Sequence, residues 1–170
     1  RMQCRSGRVN ADRTPSDRSM NVDDTERRIV NALLEDGRAS SRDISGATGI
    51  AEPTVSQRID QLETHGVIEG YEPRIDYESL GYDVTAVFQL TIDGDGLPGV
   101  PERLGDTEQM IGVYEVTGSH DVVAIGKFTD TAAMNARIKE LMTDDDITAV
   151  ETSVVLNTVT EYGQFRVESE

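Results

Sequence analysis

The sequence predicts an α+β chain in two parts, three short helices followed by a strand–helix–strand–strand–helix–strand unit. Three observations carry this. Apolar residues recur at helical spacing before residue 70, and they alternate with polar ones from residue 84 onward. Glycines and a capping pattern cut the first part into helix-sized pieces. The Gly/Pro-rich stretch GDGLPGVPERLG separates the first long strand from the remaining strands and helices.

The first 19 residues, RMQCRSGRVNADRTPSDRS, have the Arg, Ser and Pro content of a disordered leader or an added extension, with Met20 as the natural start. Residues 22–36 then read as a helix. Ile29, Val30, Leu33 and Leu34 form two i,i+4 pairs behind Asp23, Asp24 and Glu26, acids that suit the positive end of a helix dipole. Gly37 is the expected left-handed stop. Ser40 to Asp43, SSRD, is a capping box with a short acidic partner, and a second helix runs on through Ala47 to a turn at Gly49. The third helix is expected from Glu52 to Thr64, with Pro53 in its first turn and Val55, Ile59 and Leu62 as its dry stripe. Ala51 is a poor cap for it. Three short helices with a Gly turn between the last two make a helix-turn-helix, assigned to residues 20–70. Val67 and Ile68 are expected to start a hairpin, a wing or linker, turned at Gly70-Tyr71. Residues 71–82 read as the linker, anchored by Tyr71, Ile75 and Leu80.

From Val84 to Ile92 the alternation of Val84, Ala86, Phe88, Leu90 and Ile92 is that of a half-buried strand. Next come a short helix, strands over 111–116 and 121–128, a helix over 131–143 and a last strand over 147–159. Met134, Ile138, Leu141 and Met142 are expected to face inward from that helix. The order is the split βαβ, ferredoxin-like αβ sandwich, assigned to residues 83–160 with a tail at 161–170.

Charge separates the parts further. The whole chain carries 32 acids against 16 Lys and Arg, a net −16. Residues 20–70 hold ten acids and five Arg, whereas residues 71–170 hold twenty acids and six bases. Only Lys127 and Lys139 are lysines. An acidic, Lys-poor surface stays hydrated and repulsive when molar salt shrinks the screening length to about 3 Å, so a halophilic source is expected. Cys4 is the only cysteine, which leaves no disulfide framework and fits a reducing cytoplasm. No apolar run approaches the roughly 20 residues of a membrane helix. His65 and His120 are the only histidines, and no nucleophile–base constellation is readable, so no catalytic residue and no metal site is assigned. The run Asp144 to Asp146 lacks the glycine punctuation of a calcium loop and reads as a solvated acidic loop.

Thr54, Ser56, Gln57, Arg58 and Gln61 lie off the dry stripe of the third helix. On an arbitrary helix this would be a solvated face. At the recognition position of a helix-turn-helix, these side chains are the types that reach base edges and phosphates in a major groove. Arg38 and Arg42 are the expected phosphate contacts, with pairing to a neighbouring acid as the alternative.

Together the stretches DDTERRIVNALLEDGRAS, ATGIAEPTVSQRIDQLETHGVIEGYEPRIDYESLGY and VTGSHDVVAIG resemble the Lrp/AsnC family of transcription regulators over residues 20–160. The resemblance rests on Asp24 with Gly37-Arg38, on Arg58, Ile59, Leu62, Glu63, Gly66, Val67 and Ile68, and on the Gly118-x-x-Asp121 turn. It implies a sequence-specific, double-stranded-DNA-binding regulator, without catalysis or cofactor, whose homodimers assemble to octamers or related rings on a palindromic operator. It also implies a small-molecule effector, an amino acid, bound between subunits by Gly118, Ser119, His120 and Asp121, the alternative being an interface turn in which Asp121 pairs with an Arg or caps a backbone N–H and His120 is a surface residue. Thr148, Val150 and Thr152 would form the other wall. An archaeal, halophilic source fits the family and the charge. Two alternatives stay open: a metabolite-sensing module that no longer binds DNA, and a haem-pathway decarboxylase, which shares the family's fold.

Overall fold

The structure is a computed structural model that describes residues 22–94, 96–97, 99–161, 163 and 165–168. The expected leader, residues 1–19 with Cys4, lies outside the described residues. The chain divides into two compact units, one up to Arg74 together with the residues from Thr160 on, the other Ile75–Val159.

The first unit is three helices. In α1, Asp24–Glu35, the Asp23 side chain accepts from the Glu26 N–H and the Glu26 side chain accepts from the Asp23 N–H, so a complete capping box satisfies two orphan donors. α2, Ser41–Thr48, is capped reciprocally by Ser40 and Asp43, and Gly49 closes it at φ 72°. α3, Glu52–Thr64, starts at Ala51 with no side-chain cap and with Pro53 in its first turn. Ile29, Ile44 and Val55 form the buried cluster, with Ala32, Leu33, Ile50 and Ile59 packed around it. Leu62 is also fully buried.

Several sequence expectations change here. Gly37 is not left-handed. α1 ends at Asp36 in extended backbone, so the chain leaves without a glycine stop. The hairpin expected at Val67 and Ile68 is not a strand among the described residues. Gly66 takes φ 67°, its N–H donates to the Glu63 carbonyl, and the Val67 N–H donates to the Leu62 carbonyl at 2.8 Å. That is a Schellman cap, and the donors of this segment go to α3's own open carbonyls instead of to a partner strand. Tyr71, Ile75 and Leu80, the expected anchors, are exposed, as is Leu34. The chain end is more than a tail. Asn31 of α1 donates to the Val167 carbonyl and accepts from the Val167 N–H, both at 2.9 Å. An amide offers a donor and an acceptor side by side, so it pairs with an extended backbone as another strand would.

The second unit is a four-stranded antiparallel sheet in the order β2-β3-β1-β4. Its elements are β1 Val84–Ile92, α4 Val100–Gly105, β2 Met110–Glu115, β3 Val122–Phe128, α5 Thr131–Met142 and β4 Ile147–Val154. Alternation in β1 buries Ala86, Phe88, Leu90 and Ile92 against Val100 and Leu104 of α4 and Met134 and Leu141 of α5. The Phe88 and Phe128 rings meet edge to face at 5.9 Å. The α+β class and the ferredoxin-like strand order expected from the sequence are present. Two details differ. Met142 is 68% exposed and not inward. β4 stops at Val154 instead of Val159, because its partner runs out: Ala86 pairs with Val154, Val155 donates once more to Thr85, and β1 begins at Val84.

Candidate nucleic-acid interface and effector turn

In the first unit the face of α3 away from Val55 and Leu62 is polar. Thr54, Ser56 and Gln57 are exposed there, and Gln61 is half-buried. Arg38 and Arg42 are both exposed, Arg38 after the end of α1 and Arg42 in the first turn of α2. Glu52 and Asp60 are exposed on α3 as well. Arg58 stands apart from the others. Its Nη1 donates to Glu26 Oε1 at 2.9 Å and its Nη2 lies 3.2 Å from Asp23 Oδ2. Glu26 is 1% exposed. The expected base or phosphate contact is therefore turned back onto α1, drawn by a buried carboxylate that needs a cation.

Glu26 is the residue that sequence reasoning read too simply. It was legible as an acid near a helix dipole. The signal for more was the Asp23-x-x-Glu26 spacing of a capping box, together with an Arg on the third helix. At the far end of α3 the Tyr71 hydroxyl donates to Glu63 at 2.9 Å, and burial and that carboxylate push its pKa up to about 12.

In the second unit the turn between β2 and β3 is tied down at its base. Val116 donates to the Asp121 carbonyl and Asp121 donates to the Leu90 carbonyl, each at 2.9 Å. The Asp121 side chain accepts from the Ile92 N–H at 2.8 Å through Oδ2. Gly118 takes φ 127°, a backbone region that disfavours other residues. The Ser119 hydroxyl lies 3.1 Å from His120 Nδ1, and His120 Nε2 lies 3.6 Å from Glu151. Thr148 donates to the Thr91 carbonyl at 3.1 Å, beside the register shift that separates Thr91 from Ile92.

The structure thus brings Asp121 and Thr148 to one end of β1 and His120 to β4. It does not bring Val150 and Thr152 with them. These pair with Leu90 and Phe88, on the helix-covered face, and Val150 packs on the apolar core. The residue of β4 that the turn meets is Glu151, one position off. A strand alternates faces at every residue, so a slip of one exchanges the whole set. The acidic loop is also engaged, since Arg103 bonds both Asp144 and Asp146 at 2.9 Å. Among the described residues, no cluster of His, Cys, Asp or Glu is placed to hold a metal ion, and no helix is long and apolar enough to cross a membrane.

Residues 22–69 match the family model for winged helix-turn-helix DNA-binding domains, and residues 85–165 match that for the Lrp/AsnC ligand binding domain. An uncharacterized HTH-type transcriptional regulator of Pyrococcus furiosus is 34% identical over 149 residues, 88% of this chain and 99% of its own length. The HTH-type transcriptional regulator LrpA of Mycobacterium tuberculosis is 28% identical over 81% of this chain and 91% of its own length. Among solved structures, the feast or famine regulatory protein of M. tuberculosis complexed with L-methionine superposes with a TM-score of 0.77. It is 25% identical and covers 86% of this chain and 99% of its own. The structure of E. coli AsnC, at 22% identity and a TM-score of 0.74, covers 82% of this chain and 95% of its own and shares the fold.

Proposed function

Because the chain belongs to the Lrp/AsnC family of DNA-binding transcriptional regulators, we propose that it reads double-stranded DNA with the exposed face of α3 and answers to a small amino acid at the β2–β3 turn. The observation that carries the first half is the division of α3. Val55 and Leu62 are fully buried, while Thr54, Ser56 and Gln57 stand free on the other side with hydrogen-bonding groups of the kind that match base edges. Arg38 and Arg42 would neutralise phosphates on either side. The Ala149, Glu151 and Ser153 face of β4, with Val87, Val123 and Ile125 half-buried beside it, is the surface on which two copies would pair. A two-fold axis sets two α3 helices about one DNA turn, roughly 34 Å, apart and calls for a palindromic operator. Larger rings would be built from such dimers.

For the effector, the backbone N–H groups around Gly118 and Ser119 suit a carboxylate. Asp121 has one oxygen tied to Ile92, so its Oδ1 is the partner for an ammonium. His120 and Glu151 would line the same side. The relatives are transcriptional regulators, and the reading assigns the chain no reaction of its own. The work is done in the cytoplasm of a salt-rich cell, as the net −16 charge suggests. An acidic protein gains little from counterion release, so affinity should depend weakly on salt.

Fluorescence anisotropy with a DNA fragment from upstream of its own gene tests this, in KCl from dilute to molar, with wild type and Gln57→Ala. Specific binding that the substitution abolishes, with a shallow salt slope, is the expected result. Absence of binding at every salt concentration by an intact dimer would overturn the reading face.

A further inference from the structure

Arg58 sits among the candidate DNA-reading side chains, yet its guanidinium is committed inside the first unit. All four carboxylate oxygens around it are engaged. Glu26 Oε2 accepts from the Asp23 N–H at 2.9 Å, and Glu26 Oε1 accepts from Arg58. Asp23 Oδ1 accepts from the Glu26 N–H at 2.8 Å, and Asp23 Oδ2 faces Arg58. The capping box uses one oxygen of each carboxylate and the guanidinium uses the other. The N-terminus of α1 is therefore a two-pronged socket, and Arg58 is a planar fork that fits it. A lysine is a point charge and would not span both prongs. Pulling Arg58 out towards a phosphate would leave the buried Glu26 carboxylate without its cation, a state much less favourable than a solvent-exposed phosphate contact could offset.

The position of the fork on α3 gives it a further consequence. With about 100° per residue, Arg58 lies roughly 60° from Val55, and Thr54 and Gln61 lie next to it on the way to the exposed face. Gln57 stands nearly opposite Val55. The cluster that packs α3 on α1 and α2 is aliphatic, Ile29, Ile44 and Val55 with Ala32, Leu33, Ile50 and Ile59 around them, and contact of that kind is non-directional. A rotation of about 20° moves a side-chain end, some 5–6 Å from the axis, by about 2 Å. That exceeds the tolerance of a hydrogen bond to a base edge.

We propose that Arg58 is a positioning residue for DNA reading: seated on the Asp23–Glu26 capping box, it sets the rotation of α3 so that Thr54, Gln57 and Gln61 face the groove. This rests on the assignment of α3 as the reading helix.

The test uses the full chain as wild type, Arg58→Lys and Arg58→Met, with the upstream fragment, a set of single-base variants of it and an unrelated DNA of equal length. Binding is followed across a KCl series. For a positioning residue, both variants lose at least tenfold in preference for the upstream fragment. The loss spreads over all base positions, and affinity for unrelated DNA and the slope of log K against log salt stay as in wild type. A slope shallower by about one released counterion would make Arg58 a phosphate contact. A loss confined to one base pair would make it a base reader. Either result overturns the proposal. Amide shifts and α3-to-α1 NOEs in the free protein decide the matter without DNA. Arg58→Lys, which keeps the charge and guards against misfolding, should displace them along α3, and unchanged values would refute the positioning role. Should wild type prefer neither DNA, the reading-face assignment fails while the NMR measurement still judges Arg58.

Discussion

The helical unit buries four aliphatic residues, Ile29, Ile44, Val55 and Leu62, and a glutamate, whereas the sandwich closes on twelve buried apolar residues from β1, β3, β4 and both helices, with Met110 and Val113 of β2 partly buried against them. The contrast arises from surface and volume. Three short helices enclose little apolar area, so capping boxes, an ion pair and a Schellman cap take a larger share of holding them together. A sheet covered by two helices can rely on side-chain volume. A small unit held by directional bonds has a definite orientation of its parts, which suits a reader. A unit held by packing can keep its core when a residue at its rim changes.

The comparison can be broken from the sandwich side first. Phe88→Ala removes a ring that packs on Phe128 and should cost about 3–5 kcal/mol, read as a lower unfolding midpoint of the second unit in denaturant. Next, Arg58→Met should destabilise the first unit by about 2–3 kcal/mol, below the full value for a buried pair because Arg58 is 35% exposed. Adding Glu26→Leu to that variant should recover much of the loss, since an apolar pair leaves no stranded charge. An additive double mutant would show that the two groups do not act together. Gly66→Ala, at φ 67°, should cost roughly 1–2 kcal/mol through the left-handed penalty, visible as faster amide exchange at the end of α3. Ala51→Ser should act in the opposite direction, raising stability by about 1 kcal/mol by giving α3 the side-chain cap it lacks.

The smallest effect concerns acid. The hydrogen bonds from the Ser40 hydroxyl and amide hold the Asp43 carboxyl below its ordinary value of 3.8. A carboxyl depressed in the folded state contributes stability that is present above its unfolded pKa and lost as pH falls through the folded value. The α2 cap should therefore weaken below about pH 4. Ser40→Ala should move the Asp43 titration, followed by NMR, back up towards the ordinary carboxylate range.

Element type and order were legible because periodicity and capping are local. The α2 capping box, the start of α3 and the alternation of Phe88 and Leu90 needed only neighbours in the chain. The Gly118-x-x-Asp121 turn was legible too, as was a backbone cap for Asp121 as the alternative to an effector contact, but its partner was not: Asp121 accepts from the Ile92 N–H, 29 residues away. The face that Val150 and Thr152 occupy was not legible for the same kind of reason, since the register shift at Thr91 and Ile92 decides which side of β4 meets the turn. The end of β4 depended on the length of β1 and not on its own Thr and Val content.

By itself the sequence determined the three helices, the βαββαβ order, the polar face of α3 and the acidic balance, because each comes from composition or from spacing within a few residues. Tertiary structure alone decided that Arg58 turns inward, that Val67 caps a helix instead of starting a strand, and that Val167 lies against Asn31. Each of these depends on which donors and acceptors remain unsatisfied once the helices and strands have formed. For Arg58 and Asn31 that remainder is settled by partners 32 and 136 residues away in the chain, and for Val67 by the Leu62 carbonyl that the end of α3 leaves open.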